Sequence, residues 1–232
     1  MLLECVPNFS EGRDASILAA LAGAIRSVEA VCLLHQDAGA DANRTVFTFA
    51  GPAEATCEAA FRAMRVAAER IDMRRHTGTH PRLGGTDVCP LVPLGDTPLT
   101  AAADYARQLG ERAGRELGIP VYLYEAAATR PEYRNLAAIR RGEYEGLAAR
   151  LTDPGRQPDF GPAEFQPRLG ATILGARPFL IAWNIDLNTE DIAVANYIAG
   201  RLRESGYREK SADGKSLRQS GKFKGLKAIG WH

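Results

Sequence analysis

Apolar positions recur at two periods along the chain. Ile17, Leu21 and Ile25, with Leu18 beside them, follow Asp14 at helical spacing, so a helix capped near Asp14 is expected. Gly51-Pro52 opens a second helix with Phe61, Met64, Ala68 and Ile71 on one face. Thr97-Pro98 starts a third, which turns Leu99, Ala102, Ala106, Leu109, Ala113 and Leu117 inward and stops at Gly118. Between these, residues 2 to 6, 31 to 36, 44 to 50, 86 to 92 and 121 to 124 read as strands, with the continuous run from Val31 to Gln36 expected to be buried. The order strand, helix, strand, strand, helix, strand, helix, strand predicts an α/β chain of the α+β plait type: a ferredoxin-like split βαβ mixed sheet with an added helix-strand pair. Right-handed crossovers place the helices on one face. Something else must then cover the other face.

Beyond residue 124 the pattern weakens. Residues 130 to 151 are charged and weakly helical, with Tyr133, Leu136, Ile139, Tyr144 and Leu147 as expected contacts. Residues 152 to 170 are rich in Gly and Pro, and a loop of this length is a linker or a binding loop. Phe160, Phe165 and Arg168 suit either a grip on a ligand or packing across a domain joint. Pro178 to Leu187 reads as the strongest strand of the chain, followed by a helix capped by Asn188 or Thr189, running to Ser205 and stopped by Gly206. Residues 207 to 225 are basic, Gly/Ser-rich and expected to be mobile, either simply solvated or attracting an anionic ligand tail. Leu226 to Trp231 is expected as a last strand. A new strand-helix unit after a long loop marks a second, smaller α/β subdomain, dividing the chain at 1–176 and 177–232. So small a remnant lacks an independent core, so it packs on the first sheet or the protein continues past His232.

At 232 residues one large domain or two small ones are allowed. A formal net charge of +1 provides no global field to select nucleic acid or membrane, and no stretch is apolar enough to span a bilayer. Cys5, Cys32, Cys57 and Cys89 have no CxxC spacing and read as reduced core residues of an intracellular, cytoplasmic protein.

Ionisable groups concentrate between Asp72 and Pro93, where His76, His80, Arg82 and Asp87 lie on a connection between helix and strand. A metal pair at His76 and His80 would need both on one helical face, but Thr77-Gly78-Thr79 and Pro81 are poor helix, and no Glu follows His76. No bound metal is expected. His80 reads either as a general base or as a structural histidine capping the turn before Pro81.

Several runs occur in one order across the whole chain: Glu4-Cys5-Val6-Pro7-Asn8-Phe9-Ser10-Glu11-Gly12; Asp37-Ala38-Gly39 with Asn43-Arg44-Thr45-Val46; His80-Pro81-Arg82 with Asp87-Val88-Cys89-Pro90; Pro120-Val121-Tyr122-Leu123-Tyr124; and Gly175-Ala176-Arg177 with Phe179-Leu180-Ile181-Ala182. With these runs the chain resembles the formiminotransferase domain family, which stands alone in bacteria and is fused to a cyclodeaminase in animals. The resemblance implies transfer of a formimino group from N-formimino-L-glutamate to N5 of tetrahydrofolate, in histidine breakdown, with no cofactor beyond tetrahydrofolate as co-substrate. It implies His80 as the catalytic residue, Asp37 as the acid beside the substrate, and folate contacts from Gly161, Pro162, Ala163, Glu164, Phe165, Gln166, Pro167, Arg168, Leu169 and Gly170. It also implies a homodimer, two α/β subdomains enclosing a folate tunnel, and a folate that carries either one glutamyl unit or several. Arg82, Arg44 and Arg177 are the candidates for binding substrate carboxylates by forked hydrogen bonds. Thr79 and Gly85-Thr86 depart from the family's usual acidic residue and apolar pair. The competing readings are a folate enzyme that transfers formyl groups and a truncated, non-catalytic folate-binding subunit.

Overall fold

Local capping fixes the first helix: the Asp14 carboxylate accepts from the backbone N–H groups of Ser16 and Ile17, which have no partner within the helix. The computed structural model describes residues 1–211 and 214–230. In chain order its elements are β1 (Leu2–Cys5), β2 (Asn8–Phe9), α1 (Ala15–Arg26), β3 (Cys32–Gly39), β4 (Arg44–Pro52), α2 (Ala53–Arg70), β5 (Thr86–Leu94), α3 (Leu99–Leu117), β6 (Val121–Glu125), α4 (Leu136–Arg140), α5 (Leu147–Leu151), β7 (Thr172–Ala176), α6 (Ile192–Leu202), β8 (Tyr207–Lys210) and β9 (Ser216–Gln219). The chain forms two compact units, Met1–Leu180 and Ile181–His232.

In the first unit β3 pairs with β4, β4 with β1 and β2, and these with β5, all antiparallel. That is the split βαβ order expected of a plait. The sheet then extends through parallel β5–β7 and β7–β6 pairings to seven strands. β7, which was not among the expected strands, inserts between β5 and β6. Its sequence Thr-Ile-Leu-Gly-Ala is short and uniformly buried, so no alternation marks it.

One face carries α1, α2 and α3. Leu21, Ile25, Met64, Ala106 and Leu109 meet Leu3, Phe47, Phe49 and Leu91 there. Ala67, rather than the expected Ala68, is the inward residue of α2. Gly118 ends α3 in the left-handed conformation, as its position suggested. The opposite face of β5, β7 and β6 is covered by the segment containing α4 and α5, where Tyr133, Ile139, Leu147 and Leu151 pack on Tyr122, Tyr124 and Ile173.

Several expectations need correction. The Val31–Gln36 run is not a buried strand: β3 is the outer strand of the sheet and largely exposed. Cys32 on it is exposed, while Cys5 and Cys89 are core residues with their sulfurs 3.5 Å apart. Pro178–Leu187 forms no strand, and Phe179, Ile181, Trp183 and Ile185 are exposed. Its apolar run lacks the paired strand that alone satisfies a β backbone. In the second unit the helix cap is Asp191, which accepts from Ala193 N–H, and Thr189 accepts from Asp191 N–H instead. Within the basic segment after it β8 pairs antiparallel with β9. Residues 226–230 are not strand, and Trp231 lies outside the described residues.

Candidate functional site

The connection from α2 to β5 is held in place by groups distant in sequence. Asn43, in the tight turn before β4 with φ of 45°, accepts from Gly12 N–H at 2.9 Å and donates to the Thr77 carbonyl at 3.0 Å. Its own carbonyl accepts from His76 Nε2 at 2.8 Å, and Thr79 N–H donates to the Asp41 carbonyl at 3.2 Å. A Cβ at Gly78 would stand 2.3 Å from the Ala42 carbonyl oxygen, so only glycine permits this approach. The turn between β3 and β4 thereby carries the 76–80 loop.

His76 is spent on structure. With its Nε2 proton on Asn43, Nδ1 accepts from Arg82 Nε at 3.3 Å. His80 is arranged differently. Its Nδ1 donates to the Pro81 carbonyl at 2.6 Å, which puts the ring lone pair on Nε2. Burial, reinforced by the Arg44 and Arg140 guanidiniums and opposed by the Pro81 hydrogen bond and Asp87, pushes the His80 imidazole down to about 4. At neutral pH it is an unprotonated base.

Beside it lies a buried charge cluster. Asp87, fully buried at the start of β5, accepts from Arg44 Nη1 at 2.7 Å, from Leu83 N–H at 2.8 Å and from Arg140 of α4. The two guanidiniums and the Leu83 bond outweigh burial and hold the Asp87 carboxyl below its ordinary range. Arg44 also donates through Nε to Asn8 Oδ1 at 3.1 Å. Arg44 is therefore committed inside the protein.

Arg82 is the centre of a second cluster. Its Nη1 and Nη2 reach the two Glu145 oxygens at 2.8 and 2.6 Å, and Glu143 stands at 3.4 Å. Its guanidinium carbon is 5.7 Å from the Tyr144 ring centre. An open cleft of about 530 Å³ is lined by His76, Thr77, Gly78, Arg82, Gly142, Glu143 and Glu145.

The segment from Gly161 to Gly170 docks on the same loop. Gly85 N–H donates to the Leu169 carbonyl at 3.0 Å, Ala171 N–H to the Leu83 carbonyl at 3.1 Å and Met73 N–H to the Arg168 carbonyl at 3.0 Å. Tyr144 donates to the Pro167 carbonyl, and its ring lies 5.5 Å from that of Phe165. Arg168 turns its guanidinium to the Glu69 carbonyl. Phe160 packs into the helix-side core.

The structure thus gathers His80, Arg44, Arg82 and the 161–170 segment around one loop. Asp37 is exposed on β3 opposite Val46, on the sheet face that Arg44 shares and that points away from Phe47 and Phe49. The His80 Nδ1 proton goes to Pro81, not to Asp37. Arg177 follows β7, donates to the Pro178 carbonyl at 3.1 Å and lies about 13 Å along the strand direction from the level of Val88. Arg140, Glu145 and Asn43 were not singled out by sequence. Arg140 ends a five-residue helix too short for any periodic signal, and Glu145 is one of several acids in a charged stretch.

Residues 2–177 match the family described as formiminotransferase domain, N-terminal subdomain. The chain is 43% identical over 205 residues to a glutamate formimidoyltransferase of Streptococcus pyogenes serotype M1, covering 88% of this chain and 69% of that protein. It is 47% identical over 204 residues to a glutamate formimidoyltransferase of Thermoplasma acidophilum, covering 87% and 67%. Over all of its 232 residues it is 48% identical to a formimidoyltransferase-cyclodeaminase of Gallus gallus, of which it spans 41%.

Proposed function

This chain belongs to the formiminotransferase domain family, and on that premise we propose that it is a glutamate formimidoyltransferase, moving the formimino group of N-formimino-L-glutamate to N5 of tetrahydrofolate. The observation that carries this reading is the geometry of His80, whose Nδ1 donates to the Pro81 carbonyl at 2.6 Å in a part-buried setting that lowers its basicity.

The chemistry asks for one proton shuttle. The N5 secondary amine attacks the amidinium carbon and forms a tetrahedral adduct. That adduct must lose the N5 proton and gain one on the glutamate nitrogen before the carbon–nitrogen bond to glutamate breaks. Nε2 of His80 takes the first proton and returns the second. Its depressed basicity keeps the ring unprotonated at neutral pH, and the imidazolium, formed beside Arg44 and Arg140, is a strong acid that gives its proton up readily to the glutamate nitrogen. Asp87 offsets part of that positive field. Asp37, on the same sheet face as Arg44, faces the cationic formimino group.

Folate contacts are assigned to Gly161 through Gly170, with Phe165 offering a ring face to the pterin or aminobenzoate system. No cofactor beyond tetrahydrofolate enters this scheme. The working form is a cytoplasmic homodimer, and residues 177–232 belong to the C-terminal subdomain of the transferase. Incubating the purified chain with tetrahydrofolate and either formimino- or formylglutamate tests the reading. N5 transfer from the formimino donor is the expected result, and transfer from the formyl donor alone contradicts it.

A further inference from the structure

Arg82 is nearly buried, with 11% of its side chain exposed, yet its forked partner Glu145 is 65% exposed and Glu143 42% exposed. An ion pair whose carboxylate stays in water contributes little to stability, so this one is easily broken. Here the guanidinium is fixed from behind by His76 and lies near the Tyr144 ring, while the acids hang from a turn built on Gly142 and Glu143, both at positive φ. A non-glycine residue at positive φ costs energy that its setting must offset. The turn faces the open cleft that Arg82 also lines.

We infer that Glu145 is an internal stand-in for a ligand carboxylate: it occupies the fork of Arg82 and swings into solvent when a glutamate or glutamyl carboxylate takes its place. This rests on the transferase reading for the identity of the ligands, both of which carry such a group. An exposed carboxylate exchanges for another at small net cost, since the same two N–H···O bonds are remade. The exchange makes Arg82 selective for acidic ligands, because a neutral one would leave Glu145 in place. It also keeps the guanidinium paired in the ligand-free protein.

Binding, rather than turnover, tests this, so its failure is separable from failure of the transfer chemistry. Dissociation constants are measured by calorimetry for L-glutamate, for tetrahydrofolate with one and with several glutamyl units, and for tetrahydropteroate, which has none. Removing the competitor in Glu143→Gln/Glu145→Gln is expected to tighten at least one glutamyl-bearing ligand threefold or more and to leave tetrahydropteroate unchanged. Tightening of L-glutamate identifies the donor as the occupant, and tightening of folate alone identifies its tail. Adding Arg82→Gln to the double variant is expected to abolish the gain. Unchanged or weaker binding of every glutamyl-bearing ligand overturns the inference, and so does an equal gain for tetrahydropteroate. Glu145→Asp, one methylene too short for the fork, carries the same expectation should the double variant not fold.

Discussion

Asp87 shows what a single side chain holds at this site. It is fully buried and pairs with two guanidiniums that come from β4 and α4. Asp87→Asn leaves Arg44 and Arg140 facing each other without a counter-charge, and removal of one partner from a buried ion pair costs about 3 to 5 kcal/mol. Urea unfolding is expected to register a loss of that order. Protonation gives a related result. His80 stays neutral in the folded chain down to about 4, while an unfolded histidine takes up its proton near 6.5. Between those values the unfolded state binds more protons, so stability falls as pH falls through that window. His76, lowered first by burial, adds in the same direction. Asp87 contributes stability above the unfolded carboxylate value that is lost as pH drops below it. Urea titrations at pH 7.5, 5.5 and 4.5 are expected to show a progressive decline, and His80→Gln is expected to flatten the first part of it. The sequence already pointed to the 76–87 stretch, because ionisable residues crowded into a stretch that cannot be helix. It could not show that Asp87 binds Arg140, since 53 residues separate them and no spacing rule links them.

At the level of elements the helices were legible and the sheet order largely so. Cap and stop residues at Asp14 and Gly118 carry local signals, whereas β7 and the exposed Pro178–Leu187 run do not. Both are short apolar stretches, and only the partners they find tell them apart. The close approach of the 161–170 segment to the chain just before β5 depends on glycine. A Cβ at Gly84 would lie 2.4 Å from the Ala171 carbonyl oxygen and 2.7 Å from that of Leu169. Gly84→Ala must therefore push the segment away, at a cost of about 1 to 3 kcal/mol. The expected outcome is a lower unfolding midpoint and weaker tetrahydrofolate binding, read by denaturation and calorimetry. Unchanged binding with a lowered midpoint would separate the segment from the folate site.

For the whole molecule, the seven-stranded unit buries a core on both sheet faces and the second unit is small and largely exposed. The end of the first unit and the start of the second are exposed chain with Phe179, Leu180 and Trp183. Limited chymotrypsin digestion is expected to cut there first and release a fragment close to residues 1–180 that still unfolds cooperatively. Early cleavage within the sheet would contradict the division. The transfer reaction joins these scales, because it needs an imidazole of set tautomer, a loop pinned by turns from other strands, and a sheet to hold them. Its most direct test is single-turnover formimino transfer by His80→Ala, with folding and tetrahydrofolate affinity measured alongside. A folded variant that binds folate but transfers about a hundred- to ten-thousandfold more slowly is the predicted result; an undiminished rate would contradict the role given to His80.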